Sequence, residues 1–199
     1  MNATRLTLIV TVLSLLASSA GAAGYSNVRD GWMYGLNLGW GWTRVQADDV
    51  TNGSSPQSDW EDDIAGGLRV AFCPNDNFSY GLDFSGWADY AGAFDTKAFW
   101  ILAQAHWFPG GQGFFVRGGA GLGSTSISYL PVGFPRITES AGGLAWGGGV
   151  GWEARVSPSF ALGIAWDYRW TNVGEMAAIL DNVTAENQMV TFGFTWYPE

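Results

Sequence analysis

Residues 188–199 read QMVTFGFTWYPE, and their alternation decides the fold. Val190, Phe192, Phe194 and Trp196 take one parity, and Thr191, Gly193, Thr195 and Tyr197 take the other. A two-residue period of this kind is a β-strand with one apolar face. The same period recurs along the chain in segments of roughly ten residues, the length that a tilted strand needs to cross a bilayer.

Alternation alone leaves open which face points inward, and composition decides it. A soluble barrel needs an outer face rich in lysine and carboxylates. This chain has one lysine, Lys97, and only 14% charged residues, against 16% aromatic. The parity opposite the aromatics is mostly Gly, Ala, Ser and Thr, which suits a narrow closed interior, while aromatic residues suit lipid and its interfaces. The expected fold is all-β, an eight-stranded antiparallel up-and-down transmembrane barrel.

Eight segments carry the pattern: about Gly31–Arg44, Asp63–Cys73, Phe78–Ala88, Ala98–Phe108, Phe114–Gly123, Gly143–Val156, Phe160–Thr171 and the terminal strand. In the fourth, Gln104 and His106 set the facing, sending Phe99, Ile101, Ala103, Ala105 and Trp107 to lipid. In the seventh, Leu162, Ile164 and Trp166 are expected outward. Tight-turn sequences PNDN, PGGQG and SPS alternate with long connections such as STSISYLPVGFPRITES and NVGEMAAILDNVTAEN, the latter with GEMAAIL as a candidate short helix. Long outer loops alternating with short periplasmic turns are the pattern of bacterial outer-membrane barrels.

Residues 1–23 carry Arg5, an apolar run from Leu6 to Leu16 and the small-residue stretch ASSAGAA. They read as a cleaved secretory signal peptide, which leaves 24–199 as one barrel domain. The net charge of -9 argues against nucleic-acid partners, and the lone Cys73 allows no internal disulfide.

The segment GGLAWGGGVGWEARVSPSFALGIAWDYRWTNVG resembles the glycine-rich penultimate hairpin of the OmpA-like and porin-like small outer-membrane barrel proteins, and TFGFTWYP is similar to their assembly signal. The resemblance implies residence in the outer membrane of a Gram-negative bacterium. The implied partners are its lipids, including lipopolysaccharide, periplasmic chaperones and the barrel-assembly machinery, with Phe192, Phe194 and Trp196 as the assembly signal and a monomer as the expected state. Chains of this kind usually end on an aromatic residue, whereas this one ends Tyr197-Pro198-Glu199.

Arg69, Asp83, Arg117, Glu153, Arg155, Asp167 and Arg169 all fall on the inward parity, as does the single histidine, His106. Unpaired charges in a narrow barrel are costly, so these groups are expected to form an ion-pair and hydrogen-bond network. Arg69 and Asp83 flank the PNDN turn and are expected to be cross-strand neighbours. The functional reading is a structural or interaction protein with a side-chain-filled interior and acidic outer loops. A narrow porin-like channel for water, ions or small solutes is the alternative, with the same charges lining a path.

No catalytic constellation can be assembled around His106, and no cofactor is expected. Asp48, Asp49, Asp59, Glu61, Asp62 and Asp63 in the first outer connection, and Glu175, Asp181 and Glu186 in the last, could attract a hard divalent cation, although their spacing matches no EF-hand. An acidic solvated surface is the default. The tryptophans Trp32, Trp40, Trp42, Trp60, Trp107, Trp146, Trp152, Trp166 and Trp170 read as interfacial girdles.

Overall fold

A computed structural model describes residues 28–49, 57–89, 94–129, 137–174 and 180–198. The expected signal peptide lies outside the described residues, as do Glu175 and most of the GEMAAIL segment. Eight strands follow one another: β1 (Gly31–Asp49), β2 (Glu61–Asn75), β3 (Phe78–Asp89), β4 (Phe94–Trp107), β5 (Phe114–Tyr129), β6 (Ile137–Ser157), β7 (Phe160–Gly174) and β8 (Leu180–Trp196). Each pairs antiparallel with its neighbours in sequence, and β1 pairs with β8 to close the barrel. Closure removes the open edges that a sheet cannot leave in lipid. Three short connections, at Asp76–Asn77, Phe108–Gly113 and Pro158–Ser159, lie at the same end as Tyr197, here termed the turn end.

Facing follows parity closely. Leu36, Leu68 and Phe194 sit side by side in register and are 43%, 56% and 42% exposed, whereas Asn37, Arg69 and Thr195 on the other parity are buried. In β4, Phe99, Ile101 and Trp107 are exposed, and Trp100, Leu102, Gln104 and His106 are buried. A belt of exposed apolar side chains around a charged, buried interior is the reverse of a water-soluble barrel.

Aromatic side chains band the outer surface. Near the turn end, Trp32 packs on Phe72, Phe72 on Tyr80, and Tyr34 on Trp196, with centroids 5.7–6.0 Å apart. Towards the opposite end Trp146 meets Tyr168 and Trp170. Ile164 departs from expectation: its register partners Trp152 and Phe192 place it outward, yet it is only 3% exposed. Its two direct neighbours are larger aromatics that leave the smaller side chain little surface.

Several strands run further from the turn end than the alternation indicates. STSISY belongs to β5 and DNVTAEN to β8, not to connections. Beyond the apolar belt no lipid enforces an outward apolar residue, so the ladder continues without its sequence signature. Serine and threonine pairs mark this extension on β5 and β6: Ser126 with Ser140 at 3.1 Å and Ser128 with Thr138 at 2.9 Å.

Candidate functional site

The lumen is built in layers of inward side chains. At the turn end Met33, Ala71, Cys73, Ala161 and Tyr197 form one buried cluster, and Phe108, Phe115 and Ala165 another. Between them sits Arg29, fully buried although it precedes β1. Its guanidinium donates to Glu153 Oε1 at 3.0 Å and to the carbonyl oxygens of Asp76, Gly111 and Gln112 at 2.8–3.1 Å, and it lies 3.8 Å from the centre of the Phe108 ring. One side chain therefore links the N-terminal segment to two turns and to β6.

Tyr197 completes this layer by donating its hydroxyl to Glu153 Oε1 at 2.7 Å. Burial holds the Tyr197 phenol well above its ordinary value, and the adjacent Glu153 charge acts in the same direction, so it remains a donor. Arg155 stacks 3.5 Å over the Tyr197 ring. Its amino groups bind the carbonyl oxygens of Val28 (2.5 Å) and Pro158 (2.7 Å).

Midway along the lumen the sequence-predicted charges divide into two groups. Arg117 and Asp167 form a two-pronged pair, with Nε to Oδ1 at 2.6 Å and Nη2 to Oδ2 as the second contact. Gly149 makes this possible, because a Cβ there would collide with the Asp167 carboxylate. Asp83 is shared, accepting from Arg169 at 2.7 Å and from Arg69 at 3.4 Å. Arg69 and Asp83 are also direct register partners on β2 and β3. Arg69 Nε and two nitrogens of Arg169 remain without a hydrogen-bond partner.

His106 lies opposite Arg117 in register but is held by other means. Its Nε2 meets Gln104 Oε1 at 2.9 Å, and the ring stacks on Phe115 at 5.6 Å. Held between the Gln104 amide and the Phe115 ring, the imidazole is a packed, buried polar group.

Above the charges the filling turns apolar and aromatic. Trp87, Trp100, Leu102 and Met189 form a buried cluster, with Trp87 Nε1 donating to Gly41 O and Trp100 Nε1 to Thr171 Oγ1. Asn187 and Thr43 follow, hydrogen-bonded at 2.5 Å. Val173, Val183 and Ala185 cap the far end, packed with Val45, Ile127 and Ala141. The remaining space includes a polar cavity of about 20 Å³ bordered by Asn37, Arg69, Arg117 and Thr191.

Sequence reasoning did not find Arg29, whose position before the first strand gave it no parity to read. The outer acidic residues are placed only in part. Asp62 accepts from Trp40 Nε1 at 3.0 Å, and Glu186 pairs with Arg44 at 2.6 Å on the outer face. Among the described residues no three potential metal ligands come together. The side chains of Asp48, Asp49, Glu175 and Asp181 lie outside the described set.

Residues 8–197 match the model of the outer membrane protein beta-barrel domain. A search of curated proteins finds no match to the chain. Among solved structures, Neisserial surface protein A superposes with a TM-score of 0.55 at 17% identity, over 85% of this chain and 98% of that one. Ail, the attachment invasion locus protein of Yersinia pestis, solved with the heparin analogue sucrose octasulfate, gives 0.54 at 16% identity, over 83% and 99%. At these identities the likeness is one of fold.

Proposed function

The chain belongs to the outer membrane protein β-barrel domain family, and on that premise we propose that it is a non-conducting structural and interaction protein of the Gram-negative outer membrane. The turn end faces the periplasm, and the acidic connections face outward. The observation that carries this reading is the succession of buried side chains along the lumen, from Arg29 and Tyr197 through Arg117 and Asp167 to Trp100 and Val183. An eight-stranded barrel is narrow enough for side chains to fill.

Arg69, Asp83, His106, Arg117, Glu153, Arg155, Asp167 and Arg169 act in this reading as structural groups, not as a transport path. Planar-bilayer recording of the purified barrel tests it. Rare or absent openings are expected; frequent openings would replace this reading with a narrow channel for water, ions or small solutes, which the charged lumen favours as the second possibility.

The proposed partners are outer-membrane lipids, lipopolysaccharide included, along the exposed apolar belt, with periplasmic chaperones and the assembly machinery during biogenesis. The closed ladder leaves no strand edge for a second copy, which supports a monomer. The solved Ail complex contains a sulfated ligand. With a net charge of -9 and one lysine, the present chain suits neutral or cationic outer partners better than a polyanion.

A further inference from the structure

We propose that the polar cavity beside Arg69 is a binding site for a single small inorganic anion of halide size. Two independent observations meet there. The first is charge. Among the described residues five arginines are buried, Arg29, Arg69, Arg117, Arg155 and Arg169, against three carboxylates, Asp83, Glu153 and Asp167. Glu153 serves Arg29 and Asp167 serves Arg117, while Arg155 rests on carbonyl oxygens. Arg69 is left with the longer share of Asp83, at 3.4 Å, and with an Nε that has no partner. A buried guanidinium short of a counter-charge is strongly disfavoured.

The second observation is space. The cavity measures about 20 Å³, the size of one water or one halide ion. Gly163 and Gly193 face each other in register across β7 and β8 and leave that wall bare of side chains. The hydroxyls of Thr191 and Thr195 are further donors around Arg69, and Asn37 borders the cavity with its Oδ1 toward Gly193. Glu153 also borders the cavity, but its Oε1 is already engaged by Arg29 and Tyr197. A water would satisfy the donors; only an anion also offsets the excess charge. The site is independent of whether the lumen conducts.

The test uses the full folded barrel in detergent, its thermal midpoint followed as sodium chloride replaces sodium gluconate at constant ionic strength. The midpoint is expected to rise with chloride and level off, as binding to the folded state requires. Crystals soaked in bromide are expected to show an anomalous peak beside Arg69. Arg69→Met and Gly193→Ala should both abolish the chloride response. The second variant guards against misfolding of the first: its new Cβ would meet Asn37 Oδ1 at 3.6 Å and Gly163 O at 4.0 Å, ordinary contacts that occupy the space without strain. Equal midpoints in chloride and gluconate would mean that water alone fills the cavity, and an undiminished response in Gly193→Ala would place the anion elsewhere; either result overturns the proposal.

Discussion

Arg29 Nε and Glu153 Oε1 lie 3.0 Å apart at the turn end of the lumen, although 124 residues separate them in sequence. The bond joins the segment before the first strand to the sixth, and both side chains are buried. Removing one member takes a buried charge-assisted contact from the other. Arg29→Ala and Glu153→Ala are each expected to cost about 3–5 kcal/mol, with the double variant losing clearly less than the sum. Urea unfolding of the barrel in detergent measures this, and additive losses would show that the two do not act as a pair.

Asp83 is expected to be the most sensitive of the mid-lumen charges, because two arginines depend on it. Asp83→Asn should destabilise more than Arg69→Met, since it leaves two buried guanidiniums uncompensated instead of removing one. The same unfolding assay decides the order. A smaller loss for the asparagine variant would remove Asp83 as the hub.

Outward facing predicts a different sensitivity. Leu36→Arg and Leu68→Arg, register partners in the apolar belt, should each cost roughly 2–4 kcal/mol in a lipid bilayer. Arginine at Val156, at the turn-end margin and 43% exposed, should cost less because the penalty falls toward the interface. Folding into vesicles, read by the shift of the folded band on unheated gels, compares them; equal tolerance at both depths would refute the belt.

The end of the chain should separate two roles. Phe192, Phe194 and Trp196 are exposed on the outer face, whereas Tyr197 turns inward to Glu153. Replacing the three outer aromatics with serine should lower the folded, heat-modifiable fraction in membranes, while trimming Pro198 and Glu199 should leave it unchanged. Loss of the folded band on trimming, or its survival in the triple variant, contradicts this division.

Strand parity was legible because lipid on one side and a narrow lumen on the other impose opposite demands on successive residues. That is why Gln104 and His106 sufficed to orient β4, and why Arg69, Asp83 and Asp167 could be placed inward. Strand length was not legible where those demands lapse: the Ser126–Ser140 and Ser128–Thr138 pairs extend a ladder whose residues could as well be loop. Arg29 was invisible for a related reason, since three of its acceptors are main-chain carbonyls of turns, which every sequence possesses. Ile164 shows the remaining gap, because parity gives a direction but not the bulk of the neighbours across the ladder.

The ion pairs of the lumen also set an order of events. Asp83 on β3 meets Arg169 only when β7 arrives, and Arg117 on β5 finds Asp167 on that same strand. A hairpin of β2 and β3 entering the bilayer alone would carry an arginine with a distant share of one carboxylate, and a hairpin of β4 and β5 would carry Arg117 with none. Insertion hairpin by hairpin is therefore opposed by the same charges that stabilise the finished barrel. Arg117 and Asp167 are matched once β5, β6 and β7 have come together, because β6 lies between the other two, whereas Asp83 and Arg169 stand four strands apart and meet only when the sheet curls far enough to face β3 with β7.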